Sequence, residues 1–282
     1  MIPRVIALYV YPVKGARGIA VNDLAFDARG AVGDRRWMLV DSANVAVTQR
    51  EVPRLTLLGQ SFVTDNRNGA LQLSMDGSGT LQVAAPTHEE VRDVRVWDDT
   101  VSAHDAGDEA SRWCREALGL ECRLVRLAAQ ARRPLQQRFA GSLSAHGRET
   151  TLSDGAPLLL LGDQSVALLN DKLATHGVGP MSMMRFRPNI LVSTAVAHDE
   201  DDWCDVRIGT VTIAIGAPCK RCVVTTVNLH TAEKGIEPLR TLASYRQDGN
   251  AVMFGMNASH ALPNVSDAAL RVGDEVIVHT RR

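Results

Sequence analysis

The chain has 282 residues, enough for one large domain or two ordinary ones. Hydrophobic residues make up 45% and charged residues 22%, the balance of a soluble globular protein with a substantial core. With 31 basic against 32 acidic side chains, the net charge of −1 excludes a nucleic-acid or anionic-membrane partner held by bulk charge, and leaves room for a local basic pocket that takes one small anion.

Five cysteines, at 114, 122, 204, 219 and 222, are too few and odd in number for a secreted disulfide framework. A reducing cytoplasm is the natural reading. The apolar run from Val5 to Val13 is too short to span a membrane and is closed by Pro12 and Lys14. Lys14-Gly-Ala-Arg17 places charge where a signal peptide needs small cleavage residues, so Ile6 to Tyr11 is predicted as a buried first strand.

Up to residue 127 the chain reads as short strands with turn punctuation. Three hairpins are predicted: Arg35–Val40 with Val45–Thr48, Leu71–Ser74 with Thr80–Val83, and Val94–Trp97 with Val101–His104. This spacing suggests a barrel or sandwich. A helix follows, capped by Asp108 and ended by Gly119, with Ala110, Trp113, Cys114 and Leu118 on one face. Cys122–Leu127 reads as a strand, which makes Cys114 and Cys122 core fillers. Residues 128–147, with Arg132-Arg-Pro134 and no clean periodicity, read as a linker or mobile loop. The second half, 148–282, opens with an apolar run to Leu161 and a helix from Asp163 to Thr175. Strands are predicted at Asn189–Ser193, Trp203–Ile208, Val211–Ile215, Val223–Asn228 and Glu275–His279, with a short helix at Pro238–Tyr245.

The most informative stretch is Gly216-Ala-Pro-Cys-Lys-Arg-Cys-Val-Val-Thr-Thr-Val227. A thiolate is a soft ligand, and adjacent cations favour it over the thiol. Four readings of Cys219 and Cys222 are open. Zinc would need further ligands, and the sequence has no second C-x-x-C pair and no suitably spaced histidines. A thioredoxin-type couple would need a helix N-terminus, whereas the following β-branched run favours a strand. A pair of buried structural thiols is the third reading, and a single-thiolate cofactor site the fourth. Tyr11-Pro-Val-Lys14, Gly33-Asp-Arg35-Arg36 and Arg185-Phe-Arg187-Pro-Asn189 place basic groups near strand ends, where they could form a pocket for a phosphate on a polar heterocycle.

Taken in order, Tyr11-Pro-Val-Lys14, Gly33-Asp-Arg-Arg-Trp37, Ser153-Asp154, Phe186-Arg-Pro-Asn-Ile190, Cys219-x-Arg-Cys222 with Thr225-Thr-Val227, Pro238-Leu-x-Thr-Leu242 and Val272-Gly-Asp274 resemble the MOSC-domain proteins. The resemblance covers nearly the whole chain. It is strongest to the subgroup that joins an N-terminal MOSC β-barrel domain to the MOSC domain and includes amidoxime-reducing and 6-hydroxylaminopurine-detoxifying members. It implies a mainly β fold with a few helices, a MOSC-type β-barrel preceded by a smaller β-barrel-like domain.

The resemblance also implies the molybdenum cofactor, with Cys222 as metal ligand and catalytic residue. Lys14 and Arg35 would reach the pterin phosphate. Asp154, Arg187 and Asn189 would hold the pterin, Lys220 and Arg221 would lie beside the cofactor, and Asn257 would line the site. Gly155 and Ala156 stand where relatives offer hydroxyls, so backbone N–H groups would serve there. The implied activity is reduction of N-hydroxylated small molecules. Since the sequence lacks an iron–sulfur C-x4-C-x2-C run, electrons would come from a separate ferredoxin- or flavoprotein-like donor. The alternative is a non-catalytic carrier of the cofactor or of sulfur on Cys222.

Overall fold

A computed structural model of the chain describes residues 2–86, 90–261 and 269–282. It is mainly β with a few helices, as the sequence indicates. The largest sheet has nine strands. Its order is Val276–Arg281, Trp203–Ile208, Val211–Arg221, Ala251–His260, Leu158–Gly162, Ile190–Val192, Val5–Val10 and Ile19–Val21, with Gln247–Asp248 beside Ala251–His260.

Leu158-Leu-Leu-Leu-Gly162 is buried along its whole length, as a run without alternation requires. It pairs in parallel with Ile190–Val192, and the helix Asp163–Thr175 begins the crossover between them. The first strand is antiparallel to Ile190–Val192, with Leu8 opposite Ile190 and Val5 opposite Val192. Leu8, Leu160, Ile190, Ile213, Met256 and Trp203 pack on one face of this sheet, and Leu161, Leu169, Phe186, Leu191 and Phe254 on the other. The alternation of Leu160 and Leu161 follows the two-residue pleat.

The rest of the first half is built on a four-stranded sheet of Trp37–Val40, Arg123–Leu127, Asp99–Asp105 and Val91–Val96, and a three-stranded sheet of Gly59–Phe62, Leu71–Met75 and Gly79–Val83. A further small sheet joins Asp23–Asp27 to Gly30–Ala31 and Ala269–Arg271. Helix Asp108–Leu118 lays Ala110, Cys114, Ala117 and Leu118 on Trp37, Leu39 and Leu55. Gly107 rather than Asp108 holds the N-cap position, and Asp108 pairs instead with Arg123 at 3.0 Å.

Two predicted strands differ. Val45–Thr48 is not a strand: Asp41 Oδ1 accepts from the N–H groups of Ala43 and Val45, and the segment after this turn makes only two isolated bridges, Val40 to Ala46 and Val45 to Arg95. Val223–Thr226 is a 3-10 helix, closed by the Thr225 and Thr226 hydroxyls donating to the carbonyls of Cys222 and Val223. Within 128–147, the short helix Gln137–Ala140 packs on Val211–Arg221 and Ala251–His260. No helix among the described residues is long and apolar enough to cross a membrane.

Candidate functional site

One cleft gathers the residues that the sequence singled out: Lys14, Arg35, Asp154, Gly155, Ala156, Arg187, Asn189, Lys220, Arg221, Cys222 and Asn257 all line it. The large sheet supplies its floor. Strand Val211–Arg221 breaks register with Ala251–His260 between Pro218 and Lys220, so Cys219 sits on an irregular strand end that points into the cleft. Cys222 follows as the cap of the 3-10 helix. All five cysteines are free.

Lys14 is buried, and its Nζ donates to the Leu152 carbonyl at 2.9 Å and to Asp154. Burial pulls its pKa down, against the neighbouring Asp154 carboxylate. Partial enclosure works against the charge of Asp154, but Lys14, the Trp97 N–H and Arg50 outweigh it and hold the carboxyl well below its usual range. The loop bearing Asp154 is fixed from behind by buried Arg133, which donates to the Thr151 carbonyl at 2.6 Å and to Asp99 at 2.8 Å.

Arg35 and Arg187 both adopt left-handed backbone conformations, φ 46° and 58°, and both guanidinium groups lie over the buried Tyr11 ring at 4.4 and 4.3 Å. Burial, with Arg35 nearby, lowers the Arg187 pKa to about 10. Arg35 donates to Asp34 at 2.6 Å and to Asn189 Oδ1 at 2.9 Å. Asn189 is fully buried and already saturated: it also accepts from Leu159 N–H and donates to Tyr9 O and Asp34. Its side chain therefore orients Arg35 and Asp34 and has no group left for a ligand. Arg221 donates to the carbonyls of Phe254 and Phe186 at 2.7 and 3.0 Å. Burial raises the Cys219 thiol pKa against the opposing Arg221. Asn257 donates to the Ala217 carbonyl at 3.0 Å, bracing the strand before Cys219.

Sequence reasoning missed Arg50 and the cleft-lining position of Trp97. Arg50 Nη2 lies 3.4 Å from Cys222 Sγ, and its guanidinium stacks on Trp97 at 4.3 Å. Arg185 donates to the carbonyls of Thr225 and Val227, fixing the helix after Cys222. Arg50 and Trp97 carry no local motif, whereas Lys14, Arg35, Arg185 and Arg187 do. Phe139, in the supposed linker, explains Gly155: a Cβ there would stand 2.5 Å from the Phe139 ring.

Residues 2–121 match the MOSC N-terminal beta barrel domain, and residues 147–277 match the MOSC domain. Over 98% of its length the chain is 31% identical to mitochondrial amidoxime-reducing component 1 of Xenopus laevis, covering 82% of that protein. The chain belongs to the MOSC-domain family. The human amidoxime-reducing component 1 is 31% identical to this MOSC protein over 85% of its chain and 71% of the relative. The rice molybdenum cofactor sulfurase is 33% identical over 89% of it, but the MOSC chain spans only 32% of that relative's length. At the level of the family, the function is therefore associated with the molybdenum cofactor.

Proposed function

We propose that this MOSC protein binds the molybdenum cofactor in its cleft through Cys222 and reduces N-hydroxylated compounds with electrons from a separate protein. One observation carries the reading: seven cations, Lys14, Arg35, Arg50, Arg185, Arg187, Lys220 and Arg221, line the cleft around Cys222 against the single carboxylate of Asp154. Arg187 Nη2 and Arg221 Nη2 are buried with no hydrogen-bond partner, an excess of donors over acceptors. The anionic phosphate and dithiolene of the cofactor would supply the missing negative charge, and a thiolate suits molybdenum.

When bound, the cofactor would supply a metal centre that accepts the substrate oxygen. The chain's own residues bind and orient. Cys222 offers the sulfur, with Arg50 beside it. Lys14 and Arg35 are held rigid by Leu152, Asp34 and Asn189, so they present fixed charge to a phosphate without reorganising. Lys220, exposed at the rim, has no such brace. Gly155 and Ala156 line the cleft and offer backbone rather than bulky side chains to a pterin edge. Five free thiols fit a reducing cytoplasm.

The test is molybdenum and pterin content, with amidoxime reduction, in protein from a cofactor-competent host. Wild type and Cys219→Ala should hold the metal and Cys222→Ala should lose it together with activity. Full metal and activity in Cys222→Ala would overturn the assignment. The sulfurase relatives favour a second reading, a carrier on Cys222. Sulfur loading of Cys222 with no turnover, when a competent reductant is supplied, would select it.

A further inference from the structure

The Cys222 sulfur has a partner from the other half of the chain. Cys222 lies in the residues that match the MOSC domain, and Arg50 in those that match the N-terminal beta barrel domain. Arg50 Nη2 donates to Cys222 Sγ at 3.4 Å, the one hydrogen bond of this guanidinium among the described residues. The carboxylate of the cleft, Asp154, is taken by Lys14 and the Trp97 N–H. The arginine is braced for its contact from several sides. Its backbone N–H donates to Thr48 Oγ1 at 3.1 Å, and its carbonyl accepts from Lys234 Nζ at 2.6 Å, so both halves of the chain grip the same residue. Gln49 before it donates to the Gly15 carbonyl. The guanidinium lies over the Trp97 ring at 4.3 Å. Trp97 sits at φ 58°, uncommon for a bulky residue, and such a conformation persists where the surroundings over-determine it. On the far side, the Cys222 carbonyl accepts from the Thr225 hydroxyl, and Arg185 holds the carbonyls of Thr225 and Val227. A cation that only decorated the rim would need none of this bracing.

We propose that Arg50 is a positioning residue that sets the electron density of the Cys222 sulfur, with Trp97 as its platform. A hydrogen bond to a ligating thiolate draws charge off the sulfur, weakens its donation and raises the potential of the metal it holds. Arginine suits the task better than lysine, because its planar fork can rest on an indole and aim one N–H at the sulfur at the same time. The effect on potential rests on the molybdenum reading above; the contact at the sulfur does not.

The experiment compares wild type with Arg50→Met, Arg50→Lys and Lys220→Met. In cofactor-free protein, mass spectrometry of the Cys222 peptide follows alkylation by anionic iodoacetate and, separately, by neutral iodoacetamide. Both reagents need the thiolate, so the ratio of their rates reads the charge beside the sulfur and cancels its ionisation. The ratio should fall about fivefold in Arg50→Met, as the loss of one charge about 4 Å away in water predicts. It should fall less than twofold in Lys220→Met, which removes an exposed cation of the same cleft. In molybdenum-loaded protein, a redox titration followed by electron paramagnetic resonance should place the Mo(VI)/Mo(V) midpoint lower in Arg50→Met by about 59 mV, a tenfold change in the one-electron equilibrium. Arg50→Lys should recover less than half of that shift. If Arg50→Met loads no molybdenum, the midpoint is read in Arg50→Lys, where it should still fall. An unchanged ratio in Arg50→Met, an equal fall in Lys220→Met, or a midpoint that does not move would overturn the proposal. If wild type takes up no molybdenum while the ratio still falls in Arg50→Met, the cofactor reading fails and the contact of Arg50 with the sulfur stands.

Discussion

Replacing Asn189 by alanine separates a keystone from a ligand contact. The resemblance assigns this residue to the pterin, whereas its side chain is spent inside the protein. It accepts from Arg35 at 2.9 Å and Leu159 N–H at 3.2 Å, and donates to Tyr9 O and Asp34, each at 3.1 Å. Alanine removes all four bonds at a site with no solvent access. The two to neutral backbone groups are worth about 1 kcal/mol each, and the two to charged partners about 1.5 kcal/mol or more. Arg35 and Asp34 stay paired at 2.6 Å, which keeps the charged losses at the low end. The total is about 5 kcal/mol, and at roughly 2 °C per kcal/mol for a chain of this size the melting temperature should drop by about 10 °C. Thermal unfolding followed by circular dichroism would measure it, in protein from a cofactor-deficient host and from a competent one. The drop should appear in both. An unchanged melting temperature in cofactor-free protein, with a fall in molybdenum content alone, would refute the reasoning.

Three further outcomes follow from contacts in the fold. Gly155→Ser adds a hydroxyl beside the cleft, but its Cβ would meet Phe139 at 2.5 Å, so it should destabilise by about 1–3 kcal/mol. Adding Phe139→Ala should recover part of that loss, and strict additivity in chemical denaturation would contradict the clash. Burial pushes the thiols of Cys114 and Cys122 up to about 12 and about 11, so native protein at pH 8 should leave both unlabelled by a maleimide while Cys222 reacts; mass spectrometry of labelled peptides would decide. Asp105 is buried against Arg92 at 2.6 Å and Arg123 at 2.9 Å. Burial works against its charge, but these partners and the Gly107 N–H hold its pKa below the ordinary 3.8. A depressed carboxylate contributes stability above that value and loses it as pH falls. Asp105→Asn should therefore cost about 3 kcal/mol at pH 7, and the gap to wild type should narrow below pH 4, as read by urea midpoints. A gap that stays constant from pH 7 to pH 2.5 would argue against the linkage.

Local chemistry made some elements readable and hid others. The hairpin of Leu71–Met75 and Gly79–Val83 was legible because turn glycines separate two alternating runs. Helix Asp163–Thr175 was legible from its apolar spacing. Val223–Thr226 misled because β-branched residues suggest a strand, while the threonine hydroxyls satisfy the backbone of a tight helical turn instead. In the cleft, residues within motifs were legible. Arg50, Trp97 and Phe139 were not, since each acts through a partner more than 15 residues away: Cys222, Asp154 and Gly155. Asn189 was placed correctly in the cleft, but only its four bonds show which way its side chain faces.

The position of Val5–Val10 has a consequence for synthesis. This strand leaves the ribosome well before Ile190–Val192, yet it is hydrogen-bonded between that strand and Ile19–Val21. The large sheet cannot close until the chain has been made past Val192, and closing so long a loop is slow. Until then Leu8 and Val10, both fully buried in the finished protein, have no core to enter. A fragment starting after residue 127 would present Ile190–Val192 as a bare edge, a template for the wrong neighbour. Val5–Val10 therefore waits on the second half for its place in the sheet, and a nascent chain paused midway is the state most in need of a chaperone.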